Sequence, residues 1–68
     1  MVMEIVLNGE PRQVADGISA AQLLDELALA GQRIALEVNR AIVPRSAFGA
    51  CRLQPGDQVE IVRAIGGG

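Results

Sequence analysis

Apolar residues fall on alternate positions along Val2–Leu7, with Met3, Ile5 and Leu7 on one side. That is the period of a strand with one buried face. Asn8-Gly9 follows, a pair suited to a type I′ turn, in which both central residues take positive φ. The return strand, Glu10 to Val14, contains Pro11. Proline cannot donate to a ladder, so this strand belongs at a sheet edge. The period then changes. Ser19 and Gln22 form an S-x-x-Q capping box, and Ile18 and Leu23 stand where a hydrophobic staple closes. Leu23, Leu24 and Leu27 make an apolar stripe, with Ala20, Ala28 and Ala30 nearby. Gly31 is the expected stop, giving a helix of about three turns. On this reading Leu27 is buried, and its truncation to alanine costs ~2–5 kcal/mol.

Alternation resumes at Ile34–Val38, with Ile34, Leu36 and Val38 inward. Asn39-Arg40 reads as a turn, Ile42-Val43 as a short strand closed by Pro44, and Ser46 to Ala50 as a brief 3-10 turn. Gln54-Pro55-Gly56-Asp57 has the composition of a type II turn. Gln58 to Ala64 is the last strand, with Val59 and Ile61 on one face. One amphipathic helix needs one sheet face to cover. A hairpin, a crossing helix and a last strand returning beside the first give an α+β fold, the ubiquitin-like β-grasp. The expected sheet is mixed, with roughly four to five strands packed on one main helix. Residues 1–64 form the domain, and residues 65–68 a flexible C-terminal glycine tail.

The chain has 68 residues, half of them hydrophobic. That is enough for one core, in a size range where stability is modest. Histidine and lysine are absent and Cys51 is the single cysteine, so neither an intrachain disulfide nor a metal cluster is expected. A lone cysteine suits a reducing, cytoplasmic compartment. The net charge is -2, and the arginines are scattered from Arg12 to Arg63. Phe48 is the single aromatic residue. Nucleic-acid binders present basic patches, often with stacking rings, so no nucleic-acid partner is expected. No apolar run is long enough to span a bilayer and no signal-peptide pattern opens the chain, so no membrane association is expected either.

No catalytic constellation emerges. There is no histidine or lysine base. Cys51 reads as a small buried hydrophobe, and Phe48 as core. Asp25-Glu26 fits the solvated helix face and Asp57 fits turn chemistry. The unusual feature is the ending, Ala64-Ile65-Gly66-Gly67-Gly68. Extended, it reaches ~17 Å past the last strand. Without Cβ atoms its glycines fit a narrow channel in any backbone shape. Its tip is a sterically bare carboxylate, which becomes a good acyl donor once adenylated. Taken alone, such a run is equally a disordered end or a linker scar.

With this element order the ending gains meaning. Leu7-Asn8-Gly9-Glu10, the helical Leu23-Leu24 with Leu27, and Val38-Asn39 followed by Ile42-Val43-Pro44-Arg45 resemble the ThiS family, the small sulfur carriers of thiamin biosynthesis. Pro55-Gly56-Asp57, Val59-Glu60-Ile61 and the closing Ala64 to Gly68 extend the resemblance over nearly the whole chain. The resemblance implies that a ThiF-like adenylyltransferase, using ATP and Mg²⁺, adenylates the Gly68 carboxylate. Sulfur from a cysteine desulfurase then converts it to a thiocarboxylate, which thiazole synthase consumes. The protein would be a co-substrate that binds no cofactor itself and is not an enzyme. Ala64, Ile65, Gly66 and Gly67 would thread the partners' active sites. Alternation turns Val6 and Val62 away from the Ile5 and Ile61 side, and with Glu60 and Arg63 they form a candidate docking patch near the tail. Two other carrier roles share this chemistry: the molybdopterin-synthase small subunit and the sulfur carrier of another pathway. A non-catalytic β-grasp interaction module is the alternative of a different class. Without lysine, the chain cannot build lysine-linked chains on itself.

Overall fold

The computed structural model describes residues 1–63. Ala64, expected to end the last strand, and the glycine tail lie outside the described residues. Strand β1 (Val2–Leu7) pairs antiparallel with β2 (Glu10–Ala15). Asn8 and Gly9 have φ of 50° and 84°, the positive pair that a type I′ turn requires. Helix α1 (Ala20–Glu26) crosses to β3 (Ile34–Val38), which forms a second hairpin with β4 (Ala41–Val43). A 3-10 turn over Arg45–Ala47 replaces the expected Ser46 to Ala50. β5 (Gln58–Arg63) closes the sheet in the order β2-β1-β5-β3-β4. β5 runs parallel to β1 and antiparallel to β3. This is the ubiquitin-like β-grasp, a mixed five-stranded sheet with one helix. Pro11 lies on the edge strand β2, where its missing N–H costs no ladder bond. Among the described residues no helix is long and apolar enough to cross a membrane.

The core forms where the helix meets one sheet face. Ile5, Leu23, Leu36, Leu53 and Val59 are fully buried, with Met3, Val14, Ile18 and Ala20 around them. Phe48, Cys51 and Ile61 pack against this cluster half-buried. The long connection after β4 also completes the start of the helix. The Cys51 and Phe48 carbonyls accept hydrogen bonds from the Ala20 and Ala21 N–H groups at 2.8 and 3.1 Å. Ser19 Oγ accepts the Gln22 N–H at 3.1 Å, and Gln22 Oε1 accepts the Ser19 N–H at 3.0 Å. The donors that a helix start leaves unpaired are thus shared between a local capping box and a distant loop.

The helix is shorter than its apolar stripe suggests. It spans seven residues, with Leu27 as C-cap. Ala28 takes the left-handed conformation, with φ of 60°. Its N–H donates to Asp25 O at 3.1 Å, and the Leu29 N–H reaches Leu24 O at 2.8 Å. These are the paired bonds of a Schellman ending, with alanine where glycine is usual. Gly31 also has positive φ, 80°, but lies in the following connection. The early ending changes the role of Leu27. It is half-buried beside the core, whereas Leu23 is fully enclosed, so the large truncation cost expected at Leu27 belongs to Leu23. An L-residue in the left-handed region carries a penalty of about 1 kcal/mol or more that glycine escapes. Ala28→Gly is therefore expected to raise stability by about 1 kcal/mol, seen as a higher denaturation midpoint at unchanged slope.

Candidate functional site

β5 occupies the centre of the sheet and leads directly into the glycine-rich segment. Its position is fixed from both sides by asparagines in hairpin turns. At its start, Asn39 Oδ1 accepts the Gln58 N–H at 2.9 Å and Asn39 Nδ2 donates to Asp57 Oδ1 at 3.0 Å. The other carboxylate oxygen of Asp57 accepts the Gln54 N–H at 2.8 Å, closing the turn that carries Gly56 at φ of 83°. Farther along, β1 turns away after Leu7, which is level with Val59. The Ile61 N–H would then face no strand on that side. Asn8 Oδ1 accepts it at 2.9 Å, and the Asn8 N–H donates to Val59 O at 2.9 Å. Asn8 thus serves both the tight turn and the side chain that extends the sheet by one rung. Replacing it with alanine removes one hydrogen bond, worth about 1 kcal/mol, and strains the turn. Faster hydrogen exchange at the Ile61 amide is the expected signature.

The sequence-predicted docking residues divide between the two faces of the sheet. Val6, Glu60 and Val62 lie on the face away from the helix, with Val62 60% exposed. Arg63 has the parity of Val59 and Ile61, so it lies on the helix side. There it joins Leu7, Leu27, Leu29, Ile34 and Ile61 around a shallow groove of about 250 Å³. Arg63 therefore does not share a surface with Glu60, because successive strand residues point to opposite faces. Gly68 and the threading residues Ala64, Ile65, Gly66 and Gly67 lie outside the described residues.

Two residues of the outer face were not singled out from the sequence. Glu37 stands directly opposite Glu60 in the β3–β5 register, and Ile42 stands opposite Glu37 on β4. Ile42 is 73% exposed. Inward alternation of Ile34, Leu36 and Val38 already placed Glu37 outward, but cross-strand register decided its neighbour. Cys51 is half-buried, and its carbonyl serves the helix start. Among the described residues no cluster of three or more His, Cys, Asp or Glu side chains forms a metal site.

The family model of the ThiS family matches residues 5–68. The chain is 46% identical over 97% of its length to a thiazole synthase of Magnetococcus marinus, covering 20% of that protein. A thiazole synthase of Paramagnetospirillum magneticum is matched over the same share at 39% identity. The chain thus spans about one fifth of the length of these two curated relatives. It is 35% identical to the sulfur carrier protein ThiS of Escherichia coli, over 97% of this chain and all of that one. The crystal structure of a thiamine biosynthesis protein (ThiS) from Geobacter metallireducens superposes with a TM-score of 0.85 at 33% identity, covering 97% of this chain and 100% of that chain. A match that runs from the first strand through Gly68, on the same fold, places this chain in the ThiS family.

Proposed function

We propose that this chain is a cytoplasmic sulfur carrier for thiamin biosynthesis, with Gly68 as the acylated residue. A ThiF-like adenylyltransferase binds ATP and Mg²⁺. The Gly68 carboxylate attacks the α-phosphate and releases pyrophosphate. A persulfide raised by a cysteine desulfurase then displaces AMP, and a thiol reduces the acyl disulfide to the thiocarboxylate. Thiazole synthase accepts the sulfur and returns Gly68 to a carboxylate. The carrier supplies no catalytic side chain and holds no cofactor. Residues 65–68 act as the tail, and Ala64 to Gly67 carry the terminal carbonyl into each partner without side-chain bulk beyond Ile65.

The observation that carries this reading is the family match through Gly68, joined to a central strand that immediately precedes that segment in the sequence. The partnership with thiazole synthase draws support from the two proteins of that name in which a region like this chain fills one fifth of the sequence. The test is an intact-mass spectrum after incubation with the adenylating enzyme, ATP, Mg²⁺, a cysteine desulfurase and cysteine. A gain equal to sulfur replacing one oxygen, on the C-terminal fragment, is expected. No gain, with the same enzymes active on another carrier, overturns the reading in favour of an interaction module.

A further inference from the structure

Among the described residues nothing covers the outer sheet face, and its strands carry charge of one sign. The strands present Glu4, Glu37 and Glu60 outward, while no arginine occupies an outward position on any strand. Arg12 and Arg63 sit on strands too, but with helix-side parity. Glu37 and Glu60 are directly opposite in an antiparallel pair. Their Cβ atoms are then about 4.5–5.5 Å apart, and like charges so placed repel. Among the described residues neither takes part in an ion pair or a side-chain hydrogen bond; the one salt bridge there joins Arg12 to Glu26. Apolar side chains flank the pair. Ile42 faces Glu37 from β4, and Val62 lies two residues beyond Glu60, opposite Ala35.

We infer that this face docks a partner protein that inserts an arginine or lysine between Glu37 and Glu60 and rests apolar side chains on Ile42 and Val62. The occupant follows from charge complementarity. A cation between the two carboxylates relieves their repulsion and gains two charge-assisted contacts at once, on a surface where exposed Val62 and Ile42 supply apolar area. Position points the same way, since Glu60 and Val62 lie on the strand that continues into the glycine segment. A protein that holds that segment in its active site meets this face at its root. The inference rests on the carrier reading and names the chemistry by which the adenylating enzyme grips the carrier.

A Glu37→Gln/Glu60→Gln double variant separates this from a structural role. Removing the repulsion leaves thermal unfolding at or above the wild-type midpoint. Affinity for the purified adenylating enzyme, titrated without ATP, should fall about tenfold or more, and its salt dependence should flatten. Arginine at both positions should abolish binding. Equal affinity and equal salt dependence for wild type and double variant would overturn the inference. The titration reads the face and the mass spectrum reads the tail. Charge-dependent binding without any mass gain would therefore fail the carrier chemistry and leave the docking face standing.

Discussion

Removal of Gly68 is expected to abolish thiocarboxylate formation completely while leaving thermal unfolding where it was. The two readouts separate because the residues that do the two jobs are separate. Among the described residues every fully buried side chain lies between Ile5 and Val59, and the hydrogen bonds described for β5 run to Ile61 and to its pairing with β3. Deleting a residue five positions beyond Arg63 takes nothing from that core. On the proposed carrier reading it moves the reacting carboxylate back by one residue, about 3.5 Å of extended chain. Displacements of that order from an attack geometry cost far more than tenfold in rate. The measurement is the same mass spectrum, run beside a melting curve. Full conversion of the shortened chain would show that the partners do not read the length of the tail.

Leu23→Ala is expected to bring the protein close to unfolding at ordinary temperature. Leu23 is fully buried at the centre of the helix–sheet interface, in one cluster with Ile5, Leu36 and Val59. Truncating a leucine in such a place costs ~2–5 kcal/mol, from lost transfer energy and the cavity that remains. A domain of this length has roughly 3–10 kcal/mol in total, so the loss consumes much of it. The midpoint should drop by roughly 10–40 °C, at about 4–8 °C per kcal/mol for this size. Leu27→Ala is the internal control. Half-buried at the C-cap, it should cost clearly less. Equal losses at the two positions would mean that the helix continues past Glu26 in solution.

Much of the scaffold was legible because its signals are local. The Asn8-Gly9 turn, the Ser19–Gln22 capping box, the Gly56 turn and the alternation of β1, β3 and β5 depend on neighbours within a few residues. The end of the helix was misread because Gly31 is the stronger stop by composition. The chain instead turns at Ala28, where the Schellman bonds and the entry of Ile34 into the sheet outweigh an alanine's reluctance. The tail half of the candidate site lies outside the described residues, and the face was only partly legible. Alternation gave Val6 and Val62 correctly as outward, but the charged pair added to them, Glu60 and Arg63, is split by the same period two, which sends Arg63 to the other side.

By itself the sequence determined most of the elements, their buried faces, the lack of histidine and lysine, and the run Gly66-Gly67-Gly68. Tertiary structure decided which distant groups meet. Parallel pairing of β5 with β1 brings Ile61 to Asn8, and the β3–β5 register sets Glu37 against Glu60. The loop after β4 supplies the carbonyls that finish the helix start. The physical reason is that side-chain period within a strand is a local property of the backbone. Register between strands far apart in the chain is set by the packing of the whole core.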